Sequence, residues 1–181
     1  MASAPVLPLV SVDEYLNSSW HPDKEYVDGM LVDRIVPTFP HALLQRLLIR
    51  LFEQFEEPYR FVAVPEARTQ VVERARYRIP DVLFCPRPLP KGRIVDVVPL
   101  AVMEIVSPED RITETLERFR DYAAFGVTEI FLLDPENYTA HRFKGMSLLR
   151  TSATEIAVPG GTIPFDIDAL FEKLRYERER D

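Results

Sequence analysis

The chain has 181 residues, 46% of them apolar and 28% charged, which is typical of one soluble globular domain with its own core. A formal net charge of −7 argues against a protein that coats nucleic acid by charge alone, although it does not exclude an enzyme acting on phosphodiesters. The single cysteine, Cys85, excludes an internal disulfide and a cysteine-rich zinc site, and it favours a reducing cytoplasm.

We expect a single domain over residues 1–181, with flexible tails at 1–10 and 178–181. The N-terminus has no basic start followed by an apolar segment, so no signal peptide is expected. No apolar run is long enough to span a bilayer. The sequence therefore predicts a cytoplasmic protein without a membrane partner.

The first third of the chain predicts a helix, a hairpin and a long helix. Ser11 to Glu14 forms a capping-box pattern that starts a short helix ending near Asn17. Asp28-Gly29 separates two apolar runs, as the turn of a hairpin does. Pro40 then opens a helix predicted to reach about Glu57, with leucine and phenylalanine at helical spacing and a broad apolar face for the core.

The rest of the chain predicts a sheet interrupted by a second long helix. Strand patterns lie at about 60–64, 67–75, 80–85, 97–106, 128–134, 138–143 and 146–158. The helix is expected from about Pro108 to Phe125, ending at Gly126, with an apolar stripe of Ile112, Leu116, Phe119 and Ala123. A strand end and a C-terminal helix follow between 163 and 177. This order predicts an α/β fold, with a central mixed sheet flanked by helices.

Two acidic residues stand inside apolar strand patterns. Asp81 lies in the run 78–84 and Glu104 in the run 98–107. A buried carboxylate is costly unless it is paired, hydrogen-bonded or bound to a metal. Two carboxylates on consecutive strands can share one cation. From the residues alone, a metal site and ion pairs with arginines such as Arg78 or Arg118 are equally good interpretations.

The acids belong to a series of segments that resembles the Uma family of restriction-endonuclease-like proteins, within the PD-(D/E)XK nuclease superfamily. The matching segments are Glu25 to Gly29, His41, Tyr77 to Val82, Val102 to Pro108, Tyr122 to Val127 and Leu132 to Pro135. The resemblance covers most of the chain and depends on the order and spacing of these segments. It implies a restriction-endonuclease-like core and a bacterial endonuclease that hydrolyses DNA.

The resemblance also implies the site residues. Asp81 and Glu104 would be catalytic and, with the backbone carbonyl of Ile105, would hold Mg²⁺ or Mn²⁺, which prefer oxygen ligands. The residue two after Glu104, where the superfamily has lysine, is Val106. In related branches that lysine lies in the next helix, four residues before a tyrosine, and this chain has Arg118 and Tyr122 there.

Arg118 is a departure that affects the expected function. Arginine keeps the positive charge and binds phosphate, but it cannot act as a base near neutral pH. Charge stabilisation would survive the replacement, whereas water activation would not. The alternative is therefore a catalytically impaired protein of the same fold that serves as a nucleic-acid-binding or assembly module.

Accessory roles are expected for several other residues. Glu25 could add a third carboxylate, or form a surface pair with Lys24. His41 could contact phosphate or cap its helix, with a structural or surface role as the alternative. Glu114 matches a family position that is often acidic and could support the acids.

Ser107 is expected to cap the helix that begins near Pro108. Arg76 and Arg78 belong to a basic segment over 68–93 that could follow a phosphate backbone, with a solvated strand face as the alternative. DNA is the expected substrate. A homodimer would suit cleavage of both strands, by analogy with other nucleases.

Overall fold

A computed structural model of the chain describes residues 9–152 and 155–180. Over these residues it has five helices: α1 (Val12–Asn17), α2 (Phe39–Glu53), α3 (Glu56–Tyr59), α4 (Ile112–Phe125) and α5 (Ile167–Glu179). The strands in the same residues are β1 (Lys24–Val27), β2 (Met30–Asp33), β3 (Phe61–Pro65), β4 (Thr69–Val72), β5 (Arg76–Arg78), β6 (Val82–Pro86), β7 (Val102–Ile105), β8 (Ile130–Asp134), β9 (Thr139–Lys144), β10 (Ser147–Arg150), β11 (Glu155–Val158) and β12 (Gly161–Pro164). The predicted mixed α/β class is confirmed.

The strands form a large sheet, a small sheet and a hairpin. The large sheet has the order β10-β9-β8-β7-β6-β3, the small sheet has the order β2-β1-β5-β4, and β11 pairs with β12. Only β7 and β8 pair in parallel among these strands; the other neighbours within the described residues are antiparallel. The sheet is therefore mixed, as predicted.

Side chains that alternate along the strands of the large sheet face two separate hydrophobic cores, one on each side of the sheet. Val82 and Phe84 face the core that also contains the apolar residues of α2 and α5. Leu83 and Cys85 face a second core, which includes Phe119 and Tyr122 of α4. The period of two along the strands thus places helices on both faces.

Helix α2 begins and ends where local signals allow. The Thr38 side chain accepts a hydrogen bond from the backbone N–H of His41 at 3.4 Å, so Thr38 caps the helix. The helix ends at Glu53, earlier than the predicted Glu57, and the short α3 follows. Most of the predicted apolar face of α2 is buried, which confirms its place in the core; the buried residues are Leu43, Leu44, Leu47, Leu48 and Phe52.

Helix α4 differs from the prediction at its start and in its buried face. It begins at Ile112 rather than Pro108, and its cap residue is Arg111. Ser107 does not cap it; the Ser107 backbone N–H donates instead to Asp110 in the preceding turn, at 2.6 Å.

The predicted apolar stripe of α4 is wrong at both ends, because Ile112 is 56% exposed and Ala123 is also exposed. The buried residues are Thr115, Phe119, Asp121 and Tyr122. One flank of the helix packs on the sheet, while Asp121 meets the arginines of β5. A search for apolar spacing alone therefore places the buried face incorrectly.

The remaining differences concern strand limits and termini. The pattern at 146–158 divides into β10 and β11, and β11 turns into the β12 hairpin. Arg178, expected in a frayed tail, lies within α5 and donates to the Pro135 carbonyl at 3.1 Å. The Val10 N–H donates to the Gly29 carbonyl at 2.8 Å, and Leu9 is exposed. Residues 1–8 of the predicted N-terminal tail and residue 181 lie outside the described residues. Among the helices described, none has the length and apolar character needed to cross a bilayer.

Candidate active site

The two acids of the sequence prediction meet at the boundary between the sheets. Asp81 is not within a strand but in the bend between β5 of the small sheet and β6 of the large sheet. Val82 pairs with Met103, so the next step along this antiparallel register sets Asp81 opposite Glu104. Both residues are buried and line one polar cavity of about 30 Å³.

Asp81 is held by three hydrogen-bond donors. The Ile105 backbone N–H and His41 Nε2 donate to Asp81 Oδ2 at 2.7 and 3.1 Å, and Arg34 Nη2 donates to Oδ1 at 3.2 Å. Burial opposes ionisation of Asp81, but the hydrogen bond and charge of His41, with the other two donors, bring the pKa of Asp81 below its ordinary value. Asp81 is therefore a carboxylate at neutral pH.

Glu104 has a different environment from its neighbour. Tyr122 donates a hydrogen bond from its hydroxyl to Glu104 Oε1 at 2.6 Å. Burial raises the pKa of Glu104 to about 8; the charge of Arg118 opposes this shift, and the charge of Asp81 adds to it. Without a cation in the cavity, Glu104 therefore keeps its proton at neutral pH, and the acid pair holds one negative charge.

Arg118 reaches the cavity from α4, one turn before Tyr122. Its Nη2 donates to Asp110 Oδ1 at 3.4 Å. Burial favours loss of its proton, but Glu104 and the other nearby acids raise the pKa of Arg118 above its usual value, so it stays charged. Its Nε is buried and has no hydrogen-bond partner among the residues described. Arg118 thus lines the same cavity as Asp81 and Glu104, and its role there stays a prediction.

Glu25 lies outside the cavity in a buried ion pair. Its Oε2 accepts from Arg78 Nη1 at 2.8 Å, and its Oε1 accepts from the Ile79 backbone N–H at 3.0 Å. Lys24 pairs with Asp33 instead. Glu25 is thus neither a surface residue paired with Lys24 nor a third carboxylate of the cavity, because both of its oxygens are engaged elsewhere.

The arginines expected to contact phosphate are already occupied by carboxylates. Arg78 is 4% exposed and donates to Asp121 at 2.8 Å as well as to Glu25. Arg76 donates to Asp28 and to Asp121. The structure does not accommodate the phosphate contact predicted for Arg78, since its guanidinium is enclosed by acids. Asp121 joins the two arginines into one network.

Two other predicted accessory residues have contrasting positions. Glu114 is exposed and pairs with Arg111 at 3.8 Å, and it does not line the cavity. His41 is buried and lines the cavity beside Asp81, so it is neither a surface residue nor the cap of its helix. His41 therefore belongs with the acids, whereas Glu114 does not.

The structure adds two charged cavity residues that sequence reasoning missed, Arg34 and Asp110. Asp110 lies in the turn before α4. Arg34 follows β2 and is separated from Asp81 by 47 positions. No local pattern marks Arg34, whereas the Ser-Pro-Glu-Asp turn signal could have identified Asp110 as a turn residue.

The donor set fits a hard divalent cation. Two carboxylates and the nearby carbonyl of Ile105 are oxygen donors of the kind that Mg²⁺ and Mn²⁺ prefer. Among the described residues, no group of three or more His, Cys, Asp or Glu side chains is arranged to hold a metal. Such a site suits an ion that keeps several waters and takes further oxygens from a phosphate, as Mg²⁺ does. The charge of a bound cation would also offset the effect of burial, which raises the pKa of Glu104.

Comparisons with known proteins bear on the family and the fold of this chain. The Uma2 family model, described as "Putative restriction endonuclease", matches residues 12–158. A similar solved structure is that of a "putative nuclease belonging to DUF820" from Anabaena variabilis ATCC 29413, with a TM-score of 0.75 and 20% identity, over 91% of this chain and 99% of that chain. No curated protein matches the sequence. The structural likeness supports the restriction-endonuclease-like fold, and because the family match spans most of the sequence, the chain belongs to the Uma2 family.

Proposed function

We propose that this protein is a divalent-metal-dependent endonuclease that hydrolyses DNA phosphodiester bonds. The observation that supports this most is the meeting of Asp81 and Glu104, from two chain segments, in one buried cavity with Arg34 and Arg118. Buried paired acids with shifted pKa values are typical of functional sites. Family membership points to the same class of reaction.

Each residue of the cavity has a role in this proposal. Mg²⁺ or Mn²⁺ held by Asp81, Glu104 and the Ile105 carbonyl would polarise the phosphate and lower the pKa of an attacking water. His41 fixes the orientation of Asp81, and Tyr122 fixes that of Glu104. Glu104 must release its proton when the site is loaded, because metal ligands bind in their deprotonated form.

Arg118 limits the chemistry that this chain can perform. Its guanidinium can stabilise negative charge that develops on the phosphate, but it cannot accept a proton from water. It is also engaged by Asp110. This replacement favours a second candidate function, a catalytically impaired nuclease fold that binds nucleic acid or assembles with partners.

Calorimetric titration with Mn²⁺ tests the proposal without a guess about the DNA sequence. We expect saturable binding by the wild type, loss of binding in Asp81→Ala, and unchanged binding in the control Glu114→Ala, whose carboxylate is exposed and outside the cavity. The folding of each variant is checked by circular dichroism. The titration is repeated with a short DNA duplex present, because substrate oxygens complete many magnesium sites.

A cleavage screen then separates the two candidate functions. Supercoiled plasmid, linear duplex and single-stranded RNA are incubated with the wild type and Asp81→Ala in Mn²⁺. Metal binding with nicking that Asp81→Ala lacks supports the endonuclease, and metal or DNA binding without cleavage supports the impaired module. Absence of Mn²⁺ binding both with and without duplex would contradict the metal-dependent reaction.

A further inference from the structure

Arg34 is the cationic residue of the cavity whose partners are most easily exchanged. We propose that Arg34 is the phosphodiester-binding residue of this site, released toward the substrate phosphate when a divalent cation takes over the charge of Asp81. This inference rests on the proposed function and deepens it, because it names the side chain that would contact the substrate anion.

Arg34 is more exposed to solvent than Asp81 and His41. Its side chain is 15% exposed, whereas the side chains of Asp81 and His41 are 8% and 4% exposed. Arg34 lies just after β2, in the segment 34–38 between β2 and α2, where the chain has no regular structure. The guanidinium of Arg34 is therefore more accessible to an anion from solvent than Asp81 and His41 are.

The partners of Arg34 are those that a bound cation and an anion would replace. One is Asp81 at 3.2 Å, itself an expected metal ligand. The other is Glu66 at 3.4 Å, whose side chain is 41% exposed. An ion pair with so exposed a partner holds the Arg34 side chain in place only weakly. Once a cation neutralises Asp81, the guanidinium of Arg34 keeps only this weak partner among the described residues.

The second arginine of the cavity does not have this freedom. Arg118 is about as exposed as Arg34, at 20% against 15%, but its partner Asp110 is only 18% exposed, whereas Glu66 is 41% exposed. Asp110 is also fixed by the Ser107 backbone N–H. The planar guanidinium of Arg34 is thus the better group to bind two oxygens of a phosphodiester, in the bidentate geometry that arginine favours.

The test asks whether the effect of removing Arg34 on duplex binding depends on the metal. A purely structural role of Arg34 would affect duplex binding equally with and without Mn²⁺. Binding of a short phosphorothioate DNA duplex, which resists cleavage, is measured by fluorescence anisotropy with Mn²⁺ and with EDTA. We expect Arg34→Ala to weaken duplex binding about tenfold or more in Mn²⁺, the effect of losing a charge-assisted hydrogen bond, and hardly at all in EDTA. Arg34→Lys, which keeps the charge but not the fork, should lie between.

The control is Arg142→Ala, which removes a partly exposed guanidinium from another buried acid, Glu129, outside the cavity. It should leave duplex binding unchanged under both conditions. Mn²⁺ titration without DNA provides a second measurement, in which Arg34→Ala should bind the metal as tightly as the wild type or more tightly, since a competing cation has been removed from Asp81.

Equal losses of duplex binding with and without Mn²⁺, or a fall in Mn²⁺ affinity in Arg34→Ala, would overturn the inference and leave Arg34 as a structural partner of Asp81. Wild-type-like behaviour of Arg34→Ala, in a protein that binds both Mn²⁺ and the duplex, would overturn the inference alone. A wild type that binds no Mn²⁺, with or without duplex, would overturn both this inference and the proposed function.

Discussion

The environment of Glu104 predicts that replacing it by a neutral isostere stabilises the metal-free protein. Glu104 is buried and its pKa is raised from 4.5 to about 8. The folded protein therefore binds more protons than the unfolded chain between these values. The contribution of protonated Glu104 to the stability of the folded protein is fully present below pH 4.5. This contribution is lost as the pH rises, and the loss is complete above about pH 8.

Glu104→Gln lacks this titration while keeping an oxygen that can accept the Tyr122 hydrogen bond. The value pH 7 is about 2.5 units above the pKa of Glu104 in the unfolded chain, and each unit corresponds to about 1.4 kcal/mol of folding free energy. We therefore expect Glu104→Gln to be more stable than the wild type by about 3 kcal/mol at pH 7, with a difference of about 1 kcal/mol at pH 5 and about 5 kcal/mol at pH 9.

Urea unfolding in EDTA at these three pH values measures the difference. Glu114→Gln is the control, because that residue lies on the exposed side of the same helix as Tyr122 and we expect no gain that depends on pH. The same difference between Glu104→Gln and the wild type at every pH would refute the argument, since Glu104 would then titrate alike in the folded and unfolded protein. Added Mn²⁺ should stabilise the wild type and not Glu104→Gln.

Three further predictions concern neighbouring charges. Asp81→Ala should destabilise the metal-free protein by about 3 kcal/mol, because Arg34, His41 and the Ile105 N–H lose their shared acceptor; a gain in stability by urea unfolding would show that repulsion between the acids dominates instead. Arg78→Met should cost about 3–5 kcal/mol of stability, because it leaves Glu25 and Asp121 buried without their partner. Arg74→Ala, which removes an exposed pair with Asp13, should cost less than about 1 kcal/mol. Similar costs of the two variants in thermal unfolding would argue against the buried network. Arg118→Lys should increase plasmid cleavage in Mn²⁺ if Arg118 stands in place of a catalytic lysine, and an unchanged rate would count against that assignment.

The acids of the site could be predicted because they violate a strong local pattern. Asp81 and Glu104 each interrupt a run of apolar residues, and the cost of burying a carboxylate makes such interruptions informative. The long helix α2 was also predictable, since its apolar spacing is regular and it packs with one face on the sheet. These features depend on neighbours along the chain.

The other members of the site depend on contacts between distant segments. Arg34 lies in an irregular segment with no pattern that links it to Asp81, so only the folded chain reveals the pair. The face of α4 was predicted incorrectly because Asp121 is buried through pairing with Arg76 and Arg78, and a search for apolar spacing cannot find such a residue. The same network removes Arg78 from the surface on which a phosphate contact was expected.

The location of Asp81 between the two sheets has a consequence for local unfolding. Glu104 lies within the large sheet, whereas Asp81 is attached on one side to β5 of the small sheet. If the small sheet opens while the large sheet remains intact, Arg34, which follows β2, can leave Asp81, whereas the Ile105 N–H and His41 still hold Asp81. Such partial openings occur in native proteins below the free energy of global unfolding. Opening of the small sheet would therefore remove the cationic partner of Asp81 while the acid pair and most of the chain stay folded.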